Sequence, residues 1–145
     1  MRRTQGNRSR ATAPTARWQS GRAPATAFSE ALRNSELAAH QELLSWLYGE
    51  VEQAADRLSA TSSLLEWEAF RDLVINYLNE VKAGFRLRKQ AAWDRQGNQR
   101  LLVLIDAANQ ELVELGIAFL QRQTDHLAFL ARLKRLKGLL LDMKL

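Results

Sequence analysis

The chain has 145 residues, no cysteine, a net charge of +5 and 26% charged residues. That length supports one domain with a core of its own, and the missing cysteines exclude a disulfide framework, a thiolate zinc site and a thiol nucleophile. The longest uninterrupted apolar runs, Leu101–Ile105 among them, fall far short of the roughly 20 residues that cross a bilayer as a helix.

The charge is unevenly placed. Residues 1–29 hold six arginines and no acid, residues 30–80 hold 10 acids against 3 bases, and residues 81–145 hold 12 bases against 6 acids. Acidic and basic halves are expected to pair across the fold at a few tenths of a kcal/mol per exposed pair. Residues 1–27 include Pro14, Pro24, Gly6 and Gly21 and lack an apolar period. They read as a disordered basic tail, since they cannot bury enough surface to offset the entropy of ordering. A solvated tail competes there with an electrostatic arm for nucleic acid or an anionic membrane and with a transit peptide. Arg2-Arg3 is no export signal, because no apolar stretch follows. Trp18 is the one large apolar side chain of the segment.

Residues 28–145 form the folded region. The first helix is predicted to start at Ser35, with Glu36 in its first turn and an extra turn at Phe28–Leu32. Its stripe is Leu37, His40, Leu44, Leu47, Val51, Ala54 and Leu58, spaced by threes and fours as one helix face requires. Leu43, Trp46 and Tyr48 widen it. A break follows at Ser59–Ser63, and Ser63 with Glu66 fits a capping box. The second helix runs from Leu64 to about Ala91. Gly84 lies inside it at a cost near ~1 kcal/mol relative to alanine, which points to close approach of another helix. The turn from Asp94 to Asn98 ends this helix, with Gly97 and Asn98 supplying left-handed positions and Asn98 a cap; Trp93 is placed at the end of the bundle.

The third helix carries the longest signal: Leu101, Ile105, Ala108, Leu112, Leu115, Phe119, Arg122, His126, Phe129, Leu133, Leu136 and Leu140 alternate four and three without a break. Read as one rod, it has about 44 residues against about 28 for the second helix, so its last ~24 Å overhang. That end is too apolar to stay bare. Either the helix breaks between Gln121 and Asp125 and folds back, or a second copy covers it, and the second copy is the favoured reading, through Leu130, Leu133, Leu136 and Leu140. The fold class is therefore all-α: an antiparallel bundle of three long helices behind a disordered tail.

Candidate chemistry is sparse. Lys82, Arg86 and Lys89 share a face of the second helix, and Arg95 and Arg100 lie close by, with the free amides of the third helix's start. Together they form a candidate anion or partner site, against the plainer reading of a solvated rim. His126 and His40 sit on apolar stripes and read as hydrogen-bonded core or interface histidines rather than ligands. A di-iron bundle needs Glu-x-x-His on two helices, which neither Glu36 with His40 nor Glu111 and Glu114 supply. Glu66 and Glu68 point to different faces. No phosphate loop, nucleophile elbow or zinc-protease motif occurs. The expectation is a chain with no catalytic, cofactor-binding or metal-ligating set.

Three segments carry a family resemblance: Phe85-Arg86-Leu87-Arg88, the turn Trp93-Asp94-Arg95-Gln96-Gly97-Asn98-Gln99-Arg100, and the ending Leu136-Lys137-Gly138-Leu139-Leu140-Leu141-Asp142. Over roughly Phe28–Leu145 the chain resembles the bacterial YaaR family. The resemblance implies an all-helical protein of the bacterial cytoplasm, of unknown function, with no need of a transit peptide. The reading that follows is a non-enzymatic interaction or scaffold protein whose partner is another protein or a second copy. The alternative is a nucleic-acid- or anion-associated protein that uses the arginine tail and the basic tip.

Overall fold

The computed structural model describes the backbone of residues 24–90 and 95–144, and the side chains in those ranges except at 88–90 and 95–96. Most of the predicted tail, with Trp18, and the turn residues Trp93 and Asp94 lie outside the described residues. Among the described residues there are four helices: α1 (Pro24–Thr61), α2 (Leu64–Gln90), α3 (Arg95–Leu120) and α4 (His126–Asp142). The chain divides into two compact units, residues 1–36 and 37–145.

In the first unit the helix begins at Pro24, ahead of both the predicted start at Ser35 and the predicted domain boundary at 28. Proline suits a first helical position, where its fixed φ is already helical and its missing N–H has no partner to lose. Phe28 and Leu32, one turn apart, are exposed.

In the second unit the expected stripe of α1 is buried from His40 onward, at His40, Leu44, Leu47, Val51, Ala54 and Leu58, while Leu37 is only half-buried. Tyr48 joins it, while Leu43 is exposed and Trp46 is 62% exposed. The link to α2 is shorter than the five-residue break expected. Thr61 ends α1, and Ser62 takes a left-handed φ of 51°. Its N–H returns to the Leu58 carbonyl at 2.8 Å, the usual way a left-handed residue closes a helix. The capping box is half made. Ser63 Oγ accepts the Glu66 N–H at 3.2 Å, but the Glu66 carboxylate reaches across the link to Arg57 at 3.2 Å.

Consecutive helices run antiparallel. His40 of α1 packs on Gly84 of α2 at one end, and Arg57 meets Glu66 at the other. Trp67 of α2 stacks on Phe119 of α3, with ring centroids 5.3 Å apart. At the opposite end Leu101 of α3 shares a narrow seam with Val81, Gly84 and Phe85. The third helix corrects the sequence reading. It stops at Leu120, and α4 folds back, setting Phe129 edge-on to Phe119 at 5.8 Å and Arg132 against Glu111 at 2.9 Å. The reason is local. The only two polar members of the long stripe, Arg122 and His126, fall at the break. There the amides of Gln121 and Arg122 bond three residues back, and Asp125 Oδ1 accepts the Ala128 N–H at 3.1 Å as the N-cap of α4. The start of α3 also differs from expectation: it begins at Arg95, so Gly97 and Asn98 lie inside its first turns. Asn98 is no cap; its Oδ1 is buried without a partner among the described residues.

Folding back removes the overhang. Leu133, Leu136 and Leu140 are buried in their own chain's core, and Leu130 packs half-buried against it. Tyr77 of α2 donates its hydroxyl to the Leu140 carbonyl at 2.7 Å, which ties the end of α4 to the middle of the bundle. Burial pushes the Tyr77 hydroxyl well above its ordinary value, with Tyr48 close by adding to the shift. Tyr48 is raised by burial and then by Glu52. Both therefore act as neutral donors. Among the described residues the ion pairs lie within the halves: Arg57–Glu66 joins residues of the first, and Arg132 and Arg135 with Glu111 join residues of the second.

Gly84 is explained by a side chain rather than a helix backbone. A Cβ there would run into the His40 ring. Gly84→Ala should destabilise the chain by about 1–2 kcal/mol in urea unfolding, the overpacking cost outweighing the gain in helix propensity. His40→Ala should cost less in that chain than in the wild type, because there it also relieves the clash.

Candidate functional site

Three features of residues 37–145 stand apart from plain packing: a charged junction at the α3–α4 turn, an apolar strip on the outside of α3, and a group of exposed cations near the α2–α3 end.

The junction is built on Arg122. Its Nε donates to the Ser62 carbonyl at 2.7 Å, and its Nη1 donates to the Phe119 carbonyl at 2.8 Å. The guanidinium also lies 3.8 Å from the centre of the Phe119 ring. One side chain thus satisfies a carbonyl of each inter-helix turn at this end of the bundle and covers the aromatic cluster beneath. A planar cation with several fixed donors suits that task; a lysine would supply one point charge. Behind it, Glu111 is the buried acid of the unit among the described residues. It takes Arg132 at 2.9 Å and Arg135 at 3.5 Å, and Arg132 also reaches Glu114 at 3.6 Å. These contacts clamp α4 to α3. Sequence reasoning marks Arg122 only as a polar interruption of the stripe, and it weighs Glu111 only as a metal ligand. The interruption itself is the usable signal.

His126, expected in a core or interface, is instead the exposed first residue of α4, with its ring 6.4 Å from that of Phe129. His40 is buried and partnered, as a core histidine should be. Among the described residues no three His, Asp or Glu side chains are grouped as a metal would need. Among them, too, no helix is long and apolar enough to cross a membrane.

The strip on α3 is absent from the sequence reading. Val103, Val113, Ile117 and Leu120 are exposed, the last three at i, i+4 and i+7. Leu120 is 79% exposed and Val113 60%. Glu111 and Glu114, acids of the same helix, are turned to Arg132. Leu64 and Leu65, at the start of α2, are exposed as well, on the helix whose Trp67 stacks on Phe119. The signal is a second, weaker apolar period on the same helix, hidden behind the stronger one.

Of the cations singled out in the sequence, Lys82 and Arg86 are exposed one turn apart on α2, and Arg100 is exposed on α3. The neighbouring Val81, Gly84 and Leu101 share one seam, so the three stand at one level of the bundle. The side chains of Lys89 and Arg95 lie outside the described residues. Arg57, Arg71, Arg132 and Arg135 have carboxylate partners; Lys82, Arg86 and Arg100 have none among the described residues.

A family model described as "Protein of unknown function (DUF327)" matches residues 2–144. The chain belongs to the DUF327 family. "Uncharacterized protein YaaR" of Bacillus subtilis (strain 168) is 23% identical over 117 residues, covering 80% of each chain. The resemblance to the YaaR family read from the sequence therefore holds. No solved structure matches the chain.

Arg122→Ala should lower stability by about 2 kcal/mol in urea unfolding, as expected for loss of charge-assisted bonds to two buried or half-buried carbonyls. Hydrogen exchange should show the largest loss of protection at the start of α4, and Arg122→Lys should not restore it.

Proposed function

We propose that this member of the DUF327 family is a non-enzymatic interaction protein that docks an amphipathic helix of another protein on the outer face of α3. The observation that carries the reading is the strip Val113, Ile117 and Leu120, an apolar helix face left exposed on a unit whose core is otherwise closed. Its spacing matches the anchors by which one helix reads another, and three large exposed apolar side chains in line exceed the scattered singletons normal on a surface. The engagement of Glu111 and Glu114 with Arg132 supports it further, since it draws two acids of α3 toward α4. Enzymatic roles find no support in any grouping of titratable side chains among the described residues. A photo-crosslinker at Val113 should capture a partner in host cells, and Ile117→Glu added to that chain should abolish the capture while changing the thermal midpoint by less than about 2 °C, as a surface change does. Loss of fold in Ile117→Glu, or unchanged capture, would count against the reading.

A second reading rests on Lys82, Arg86 and Arg100, which stay exposed and unpaired among the described residues. It is electrostatic attachment of a polyanion such as nucleic acid. Binding of a duplex should then fall steeply with salt, and Lys82→Glu with Arg86→Glu should flatten the log–log slope by about 2, one unit for each phosphate contact removed. Absence of binding at low salt removes the reading.

A further inference from the structure

The turn between α3 and α4 has an unusual composition for a chain reversal. Residues Gln121, Arg122, Gln123, Thr124 and Asp125 include neither glycine nor proline. The backbone of residues 121–124 keeps turning, with Thr124 and Asp125 both donating to the Gln121 carbonyl, and Asp125 alone leaves the helical path, at φ −143° and ψ 73°. In an ordinary helical hairpin the buried faces of the two helices are set independently by the turn. Here the buried residues keep one register across it: Leu115 and Phe119 before, Phe129 and Leu133 after, spaced as on a single rod through Arg122 and His126. A second line also runs through in step. Val113, Ile117, Leu120, Thr124 and Leu127 alternate four and three, yet the folded-back chain leaves Leu120 and Leu127, on either side of the turn, each 79% exposed.

We propose that two copies of the chain exchange α4, with residues 121–125 completing one continuous helix from α3 into α4. In the exchanged dimer the packing of α4 is made again between copies: Arg132 of one copy meets Glu111 of the other, and Leu136 and Leu140 fill the other's core. This is exchange of an identical element between protomers, which needs only a hinge that can open. The two extended helices pass each other at the hinge, where Leu120 and Leu127, now on one face, cover their counterparts. The contacts given up belong to the closed form alone. The Phe119 carbonyl, which accepts from Arg122, takes the backbone N–H of residue 123 instead. The Ala128 N–H, capped by Asp125, bonds to the Thr124 carbonyl. Arg122 also releases the Ser62 carbonyl. Arg122 and Asp125 are therefore the latches that favour the single chain, and protein concentration favours exchange. This proposal does not depend on docking at the α3 strip, since Ile117→Glu leaves the exchanged contacts in place.

The test uses the buried ion pair as a label. In a closed chain Glu111→Arg sets a second guanidinium against that of Arg132, and Arg132→Glu sets a second carboxylate against that of Glu111. Each variant alone should melt below the wild type. Mixed in equal amounts at high concentration and refolded together, the two should form a dimer by light scattering whose midpoint recovers most of the loss, because exchange restores an opposite-charge pair at both positions. Recovery holds even if one variant cannot fold alone. A dimer docked only through its surfaces leaves the clash inside each chain, so a mixture that melts as its separate components overturns the proposal. As a second measurement, Arg122→Ala with Asp125→Ala should tighten dimerisation at least about tenfold over the wild type, since only the closed form loses bonds and a cap. A variant that stays monomeric at every concentration overturns it equally.

Discussion

The fold-back of α4 governs the rest of this bundle, and it is closed at one end by a single guanidinium. Arg122 reaches Ser62 across the α1–α2 link and Phe119 within its own turn, and it caps the ring against which Trp67 and Phe129 pack. Without the reversal, Leu133, Leu136 and Leu140 have no cover in the chain, and the Tyr77 hydroxyl has no Leu140 carbonyl to meet. Folding back exchanges an exposed apolar rod for a closed core, at ~25 cal/mol for each Å² of apolar surface covered. The hydrogen bonds at the turn decide where that reversal happens rather than supplying most of its free energy.

Polar side chains in this unit are placed where they fix geometry. Glu111 with Arg132 and Arg135 sets the register of α4 on α3. A half-buried charge cluster of this kind adds little net stability, because desolvation opposes the Coulombic gain; its effect is to make other registers costly. Tyr77 does the same between α2 and α4, and His40 fills the space that Gly84 leaves.

The outer face of α3 and the hinge beside it share one property: apolar residues in helical register that the single chain does not cover. A strip left open on a bundle surface stays clear of non-specific association only while it is short. Val113, Ile117 and Leu120 meet that condition as a line of two turns. The same helix therefore carries a strong inner period that builds the core and a weak outer one available to a partner.

The all-helical class, the buried stripe of α1, the extent of α2 and the family were legible in the chain, because helical periodicity is local and each stripe repeats often enough to stand out. The half-made capping box was legible at Ser63 and not at Glu66, whose carboxylate found Arg57 instead. The number of helices was not legible. A stripe in unbroken register describes a straight rod and a folded hairpin equally well, and only the availability of a groove between α1, α2 and α3 selects between them. Likewise no local pattern tells that Arg122 serves two turns 60 residues apart, or that His126 begins a helix in solvent. Local spacing decided which residues are apolar together; the tertiary structure decided what covers them, because covering is a property of distant segments meeting in space.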